Sequence, residues 1–85
     1  MKKLKTKIWG ETYGVRADWA QASDQVQALN SDGEWQSTQF QVADFRHSPE
    51  AALRRVLEDT AKIAGDLDDE VREEMEEALK NAVED

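Results

Sequence analysis

The sequence of 85 residues contains no cysteine, one proline, four glycines and a single histidine, His47. Without cysteine, the chain cannot form a disulfide, a thiolate zinc site or a thiol nucleophile, so these three kinds of site are excluded. The lack of cysteine is also compatible with a reducing cytosol.

Long apolar runs are missing as well, since no window of the sequence is long and apolar enough to span a bilayer. The lysine-rich opening is typical of the start of a signal peptide, but Gly10, Glu11 and Thr12 interrupt the apolar run that would have to follow. We therefore expect a cytoplasmic protein with no membrane partner.

The length and the aromatic residues define the class of protein. A chain of 85 residues predicts a single domain, residues 1–85. Its three tryptophans, one tyrosine and two phenylalanines supply bulky core material, and all six precede Ser48. The chain therefore divides into an aromatic part, residues 1–46, and a part with helical patterning that begins near Ser48.

Residues 2–9 alternate as a half-buried strand does. The two faces of this strand carry Leu4, Thr6 and Ile8, and Lys3, Lys5 and Lys7. Lysines repeated along one face suit an edge strand, because they discourage pairing with another chain. After Gly10 the alternation resumes with opposite parity. This switch predicts a tight turn after Trp9, which we favour, or a bulge within one long bent strand.

Two further strands are predicted at residues 25–29 and 35–43. The Asp32-Gly33 pair between them indicates a hairpin, because Gly33 accepts a positive φ without steric cost. Residues 1–46 therefore predict an antiparallel sheet of three or four strands.

The first helix has a clear N-terminal signal at residues 48–50. Ser48 can cap the free N–H groups, and Pro49 suits the first helical position. We expect this helix to span residues 48–64 and to end at Gly65 in a left-handed cap. Its apolar stripe comprises Leu53, Val56, Leu57, Thr60, Ala61 and Ala64.

A second helix is predicted over residues 67–84, capped by Asp66 or Asp68. Its apolar stripe is narrower and richer in alanine than the first: Leu67, Val71, Met75, Ala78, Leu79 and Ala82. The fold class is therefore α+β, with both helices packed on one face of the sheet. We expect the core to join Leu53, Val56, Leu57, Ala61 and Leu67 to Val15, Trp19, Phe40 and Val42.

Charge is concentrated at the end of the chain. Residues 66–85 hold ten acidic residues against Arg72 and Lys80, a net charge of −8 that equals the formal net charge of the whole protein. A neutral body with a strongly anionic segment attracts cationic partners and repels nucleic acid. The candidate partner-binding residues are Asp69, Glu70, Glu73, Glu74, Glu76 and Glu77.

Two interpretations of these acids remain open. Like charges at three- and four-residue spacing repel, so a purely structural helix would do better with interleaved lysines. The acids can form an anionic strip of roughly 25–30 Å, from the helical rise, that mimics nucleic-acid phosphates. Alternatively, they form a solvated face that only gives solubility.

Other sites are not supported by the residues. A twelve-residue calcium-binding loop beginning at Asp66 would be matched in part by Asp66, Asp68, Glu70 and Glu77. The sixth position of such a loop needs glycine, and here it is Val71. We therefore expect no metal and no cofactor.

Catalysis is not supported either. A hydrolytic triad could be formed in principle by Asp44, His47 and Ser48. These residues are neighbours in the chain, so their side chains do not point to a common site, and Ser48 is needed as a helix cap. We therefore expect that the protein is not an enzyme.

Direct nucleic-acid binding is a weaker hypothesis. The lysine strand with Trp9, Tyr13 and Trp19 could stack bases. The net charge opposes it, and the acidic helix would compete for the lysines in cis. We therefore expect no direct nucleic-acid partner.

The overall plan resembles the small acidic proteins that phages carry against bacterial defences, including the anti-CRISPR proteins. The likeness covers the whole chain and depends on size, charge and layout: a short sheet with a Ser31-Asp32-Gly33 hairpin, then Ser48-Pro49-Glu50 opening two helices, the second acidic. It implies stoichiometric inhibition, in which the acidic surface occupies a lysine- and arginine-lined groove of a nuclease or CRISPR surveillance complex and blocks DNA.

The leading functional hypothesis is thus a non-enzymatic, acidic protein-binding inhibitor that acts by charge mimicry on a basic nucleic-acid-binding protein or complex. The alternative is a small cytoplasmic interaction or regulatory protein, monomeric or a homodimer, whose acidic helix only gives solubility.

Overall fold

The computed structural model describes residues 2–65 and 67–84, which form five strands and two helices. In chain order the elements are β1 (Lys2–Ile8), β2 (Glu11–Ala17), β3 (Gln25–Leu29), β4 (Trp35–Gln41), a 3-10 turn (Val42–Phe45), α1 (Pro49–Ala64), α2 (Asp69–Lys80) and β5 (Val83–Glu84). The strands pair antiparallel in the order β4-β3-β2-β1-β5. The predicted α+β fold, an antiparallel sheet followed by two helices, is confirmed.

The first hairpin has the predicted turn and not the bulge. Ile8 pairs with Glu11, so only Trp9 and Gly10 connect the strands. Both have positive φ, 55° and 80°, as the right-handed twist of a two-residue hairpin requires. Gly10 tolerates this backbone, whereas Trp9 adopts it at a steric cost. The turn directs Leu4, Val15 and Tyr13 to the same side of the sheet.

The second hairpin confirms the Asp32-Gly33 turn. The side-chain oxygen of Asn30 accepts hydrogen bonds from the N–H groups of Asp32 (3.0 Å) and Glu34 (2.9 Å), and Gly33 has a φ of 80°. The return strand ends at Gln41, two residues before its predicted end. The Asp44 carboxylate accepts from the N–H of Gln41 at 2.8 Å and so starts a 3-10 turn.

The helices cover one face of the sheet and enclose the core between the two layers. The most deeply buried side chains come from both layers: Val15, Val26, Val42, Leu53 and Leu57. Val56, Leu67 and Trp19 pack at its margin. Phe40, expected in the core, instead packs edge-on against Phe45 at 5.3 Å and lies under the guanidinium of Arg55.

The helix caps agree with the sequence. The Ser48 hydroxyl accepts from the N–H of Ala51 at 3.2 Å, and Gly65, at φ 78°, closes α1. Asp68 caps α2 by accepting from the N–H of Val71 at 2.9 Å. The other predicted cap, Asp66, lies outside the described residues.

The second helix is shorter than its predicted span of 67–84. It ends at Lys80, and Val83 and Glu84 add a two-residue strand beside β1. The sheet therefore has five strands, where three or four were predicted. β1, which we expected at the edge, is covered by β5 at Leu4 and Lys5.

A buried hydrogen bond explains this ending. The hydroxyl of Thr6, 6% exposed, donates to the carbonyl oxygen of Ala78 at 2.6 Å. That carbonyl lies in the last turn of α2, where carbonyls lack intrahelical partners. Thr6 thus satisfies the helix end and ties it to β1.

Leu57 tests the inward face of α1. Because its side chain is fully buried, Leu57→Ala should lower the free energy of unfolding by roughly 2–4 kcal/mol through lost burial and a residual cavity. Ile63→Ala, on the same helix but at a side chain 89% exposed, is the control and should change it by less than about 0.5 kcal/mol. Equal urea midpoints for the two variants would mean that the wrong face has been placed inward.

Thr6 tests the docking of α2. Thr6→Val keeps the shape of the side chain but leaves the Ala78 carbonyl without its donor, so unfolding should become easier by about 1–3 kcal/mol. Thr12→Val, on the opposite face of the sheet, is the matched control. Hydrogen exchange should quicken in α2 in the first variant only. Equal exchange in both variants would contradict a docking role for the bond.

Candidate functional site

The acidic helix α2 presents its carboxylates to solvent because its narrow apolar face is turned inward. Met75, Ala78 and Leu79 are buried, and Val71 is partly buried. All six candidate residues are exposed: Asp69, Glu70, Glu73, Glu74, Glu76 and Glu77. The helix has 12 residues, so the strip is roughly 18 Å long, shorter than the length expected from the sequence.

Three of the acids form the outward crest of α2, which we define as Asp69, Glu73 and Glu77. They follow one another at four-residue intervals and so lie on one line along the helix. Within residues 2–65 and 67–84, none of them forms an ion pair with a lysine or arginine. Their charge is therefore available to an incoming cation.

Glu76 has a different position and role. Its carboxylate pairs with the guanidinium of Arg54 on α1, and Arg54 also approaches Glu50 at 3.8 Å. The hydrogen bond from Arg54, followed by its charge, lowers the pKa of Glu76, and the same bond raises the pKa of Arg54. Glu76 thus links the helices and is not part of the free anionic surface.

Glu70 and Glu74 line a groove where the start of α2 meets the end of α1 and the β1–β2 turn. The groove has a volume of about 540 Å³, and its other walls are Trp9, Tyr13, Thr60, Ala61, Ala64, Asp68 and Val71. Trp9 and Tyr13 meet edge to face, with ring centroids 6.0 Å apart and planes at 81°. The groove therefore combines an aromatic wall with an acidic rim.

The Tyr13 ring is held in place by Glu11, which is not among the residues that line the groove. Its hydroxyl donates to the Glu11 carboxylate at 3.2 Å. Burial, then the hydrogen bond and charge of Glu11, raises the pKa of Tyr13, so the phenol stays neutral at physiological pH. A neutral aromatic wall beside carboxylates suits a cation on an apolar stem, such as a lysine or arginine side chain.

The sequence did not identify this groove. From the sequence, Trp9 and Tyr13 were expected to form one surface with the lysines of β1. In the structure, Tyr13 lies on the helix-covered face and Trp9 lies in the β1–β2 turn. Trp19, the third aromatic residue expected on that surface, donates from its indole N–H to the carbonyl of Lys2 at 3.0 Å. The positive φ of Trp9 could not be predicted from the sequence. The contact between Trp9 and Tyr13 is therefore known only from the structure.

Asp44, His47 and Ser48 do not converge. The Asp44 carboxylate accepts from Gln41, and the Ser48 hydroxyl caps α1. The Nδ1 atom of His47 lies 2.7 Å from the carbonyl oxygen of Trp19, to which it donates because a carbonyl only accepts. Each side chain thus has a separate structural partner.

In the described part of the chain, no cluster of three or more histidine, aspartate or glutamate side chains is arranged to hold a metal ion. None of its helices has the length and apolar character needed to cross a membrane.

Comparison of the chain with protein-family models, with curated proteins and with solved structures finds no match. A functional inference therefore depends on the residues and their arrangement in this α+β fold.

The Glu76–Arg54 pair makes stability depend on pH in a definite direction. A carboxyl whose pKa is lowered on folding stabilises the fold above its unfolded pKa, and this contribution disappears as pH falls through the folded pKa. Wild type should therefore exceed Glu76→Gln in stability near neutral pH, and the difference should close on acidification. Glu73→Gln, which removes an acid of the crest that has no ion pair among the described residues, should not be less stable than wild type near neutral pH. A constant gap for Glu76→Gln down to low pH in denaturation curves would contradict the role of the pair.

Proposed function

We propose that this protein is a non-enzymatic, acidic protein-binding inhibitor of a nucleic-acid-handling protein. Its α2 surface would occupy the basic groove in which that partner holds nucleic acid. The observation that carries the proposal is the set of five exposed carboxylates without ion pairs among the described residues: Asp69, Glu70, Glu73, Glu74 and Glu77.

The placement of the cations supports this proposal over a role in solubility alone. Arg54 and Arg55 of α1 pair with Glu76 and Asp59, so neither arginine pairs with an acid of the crest. Like charges four residues apart on the crest cost a few tenths of a kcal/mol per pair in the free helix. A basic partner relieves this repulsion on binding, so the free energy lost in folding is recovered in the complex.

The groove supports specificity for a polypeptide with a projecting basic side chain. Trp9 and Tyr13 can contact the apolar stem of a lysine or arginine, while Glu70 and Glu74 meet its charge. A cation over an aromatic face contributes about 0.5–2 kcal/mol, depending on desolvation. The crest would then supply long-range attraction, and the groove would supply the short-range anchor.

The proposed mechanism is competitive and stoichiometric. Carboxylates accelerate encounter with a basic surface and are screened by salt over about 8 Å at physiological ionic strength. Because the carboxylates would occupy the positions of phosphates, the partner could not bind DNA at the same time. Such an activity suits a phage protein directed against a defence nuclease or a CRISPR surveillance complex.

The test removes charge while keeping size and helix propensity. The variant Glu70→Gln, Glu73→Gln, Glu74→Gln and Glu77→Gln should fold at least as stably as wild type, because repulsion within α2 falls. It should bind the basic partner, isolated by pull-down with the wild-type protein, far more weakly and leave that partner free to bind DNA. Affinity and DNA competition are measured by fluorescence anisotropy over a salt series.

Three double variants that each remove two charges locate the effect. They are the groove pair Glu70→Gln and Glu74→Gln, the crest pair Glu73→Gln and Glu77→Gln, and the control pair Asp32→Asn and Glu34→Gln in the β3–β4 loop. The first two should weaken binding more than the control. Full inhibition by the four-glutamine variant, with unchanged affinity across the salt series, would show that the acids give only solubility.

A further inference from the structure

Among residues 2–65 and 67–84, the face of the sheet opposite the helices is open, and its charged positions are all cationic. The strand register places the following side chains on it: Lys3, Lys5, Lys7, Thr12, Arg16, Gln27, Leu29, Trp35 and Ser37. We call this set the open sheet face. Its members are exposed or half-buried, in contrast to Val15 and Ala17 on the covered face.

The side chain of Trp35 extends across the open sheet face as far as Gly14, which has no side chain of its own. A Cβ atom at Gly14 would come within 3.3 Å of Cη2 of the Trp35 ring. The guanidinium carbon of Arg16 is 4.7 Å from the ring centroid, and Nζ of Lys5 is 6.0 Å from it. Arg16 is fixed in turn, because its Nε donates to the side-chain oxygen of Gln27 at 2.6 Å. An aromatic ring and a planar guanidinium are thus held together among lysines.

The cations of this face lack acidic partners. Among the ion pairs of the described residues, none includes Lys3, Lys5, Lys7 or Arg16. The register even sets Lys3 directly opposite Arg16, and like charges in that relation destabilise a sheet. An anionic ligand would relieve this repulsion.

The acidic helix does not neutralise these lysines, contrary to the expectation from the sequence. α2 packs on the other face of the sheet, and its carboxylates point away from it. The two charged surfaces lie on opposite sides of a body whose shorter dimensions are 23 and 22 Å. Since the screening length at physiological salt is about 8 Å, each surface presents its own sign of charge to a ligand in contact with it.

We propose that the open sheet face binds single-stranded nucleic acid without sequence preference. Lys3, Lys5 and Lys7 would contact successive phosphates, since alternate residues of a strand are roughly 6.7 Å apart, similar to the phosphate spacing of an extended single strand. Trp35 and Arg16 would offer planar surfaces to the bases. The proposal is independent of the function proposed for α2.

Planarity favours nucleic acid over an acidic peptide as the ligand. Lysines alone would serve either polymer equally. A tryptophan ring with a guanidinium 4.7 Å from its centroid suits the π-face that every base presents and that an aspartate or glutamate side chain lacks. Duplex nucleic acid fits less well, because its bases are already stacked inside the helix.

The experiment measures binding of a labelled oligothymidine to the whole protein at low ionic strength by anisotropy. Lys5→Gln with Lys7→Gln should weaken binding and reduce the slope of log K against log salt by about 1.4, from about 0.7 for each phosphate contact. Lys62→Gln with Lys80→Gln removes the same charge from the helices and should leave the slope unchanged. Trp35→Ala should weaken binding at least about fivefold, the lower limit for a lost stacking contact, and Trp35→Phe should retain part of it.

A titration of wild-type protein followed by NMR needs no variant to fold. Oligothymidine should shift the amides of β1 and β2 and the indole of Trp35, and leave the crest of α2 unmoved. The proposal is overturned if wild type shows no saturable binding, if the two double-lysine variants lose equal affinity, or if an oligoglutamate peptide binds the same face more tightly than oligothymidine.

Discussion

The whole arrangement depends on holding a strongly anionic helix against the sheet through a narrow apolar face. Met75, Ala78 and Leu79 are the buried side chains of α2, and alanine contributes little apolar area, so burial alone gives modest stabilisation. The buried Thr6 hydroxyl adds a bond to the Ala78 carbonyl at 2.6 Å. This bond fixes the rotation of α2, and that rotation decides whether each carboxylate faces solvent, the groove or Arg54.

The same constraint separates the charges of the protein. Because α2 can dock only on the apolar face of the sheet, its carboxylates are kept away from Lys5, Lys7 and Arg16 on the open sheet face. The net charge of −8 is therefore the sum over the whole protein and does not describe either surface by itself. The net charge as a sum opposes nucleic-acid binding, but it opposes binding at the open sheet face less, because the acidic helix lies on the opposite side of the sheet.

The sequence predicts what nearby residues determine. The caps at Ser48 and Gly65 and both hairpin turns depend on a few adjacent residues, and they were predicted correctly. The sequence could not show the pairing of Glu76 with Arg54, which are 22 positions apart, or the end of α2 at Lys80, because each depends on tertiary packing. Trp35 was likewise missed, since only the strand register brings its ring over Gly14.

A two-faced distribution of charge has a physical consequence that a uniformly acidic protein would not share. A complex of a basic protein with single-stranded nucleic acid has a cationic groove and an anionic strand close together. Near such a complex, a molecule with α2 on one side and the open sheet face on the other experiences a torque as well as a net force, because each face is attracted to a different component. The two proposed sites together would thereby fix the orientation in which the protein approaches the complex. With only one of the sites, the protein could still rotate about that single contact.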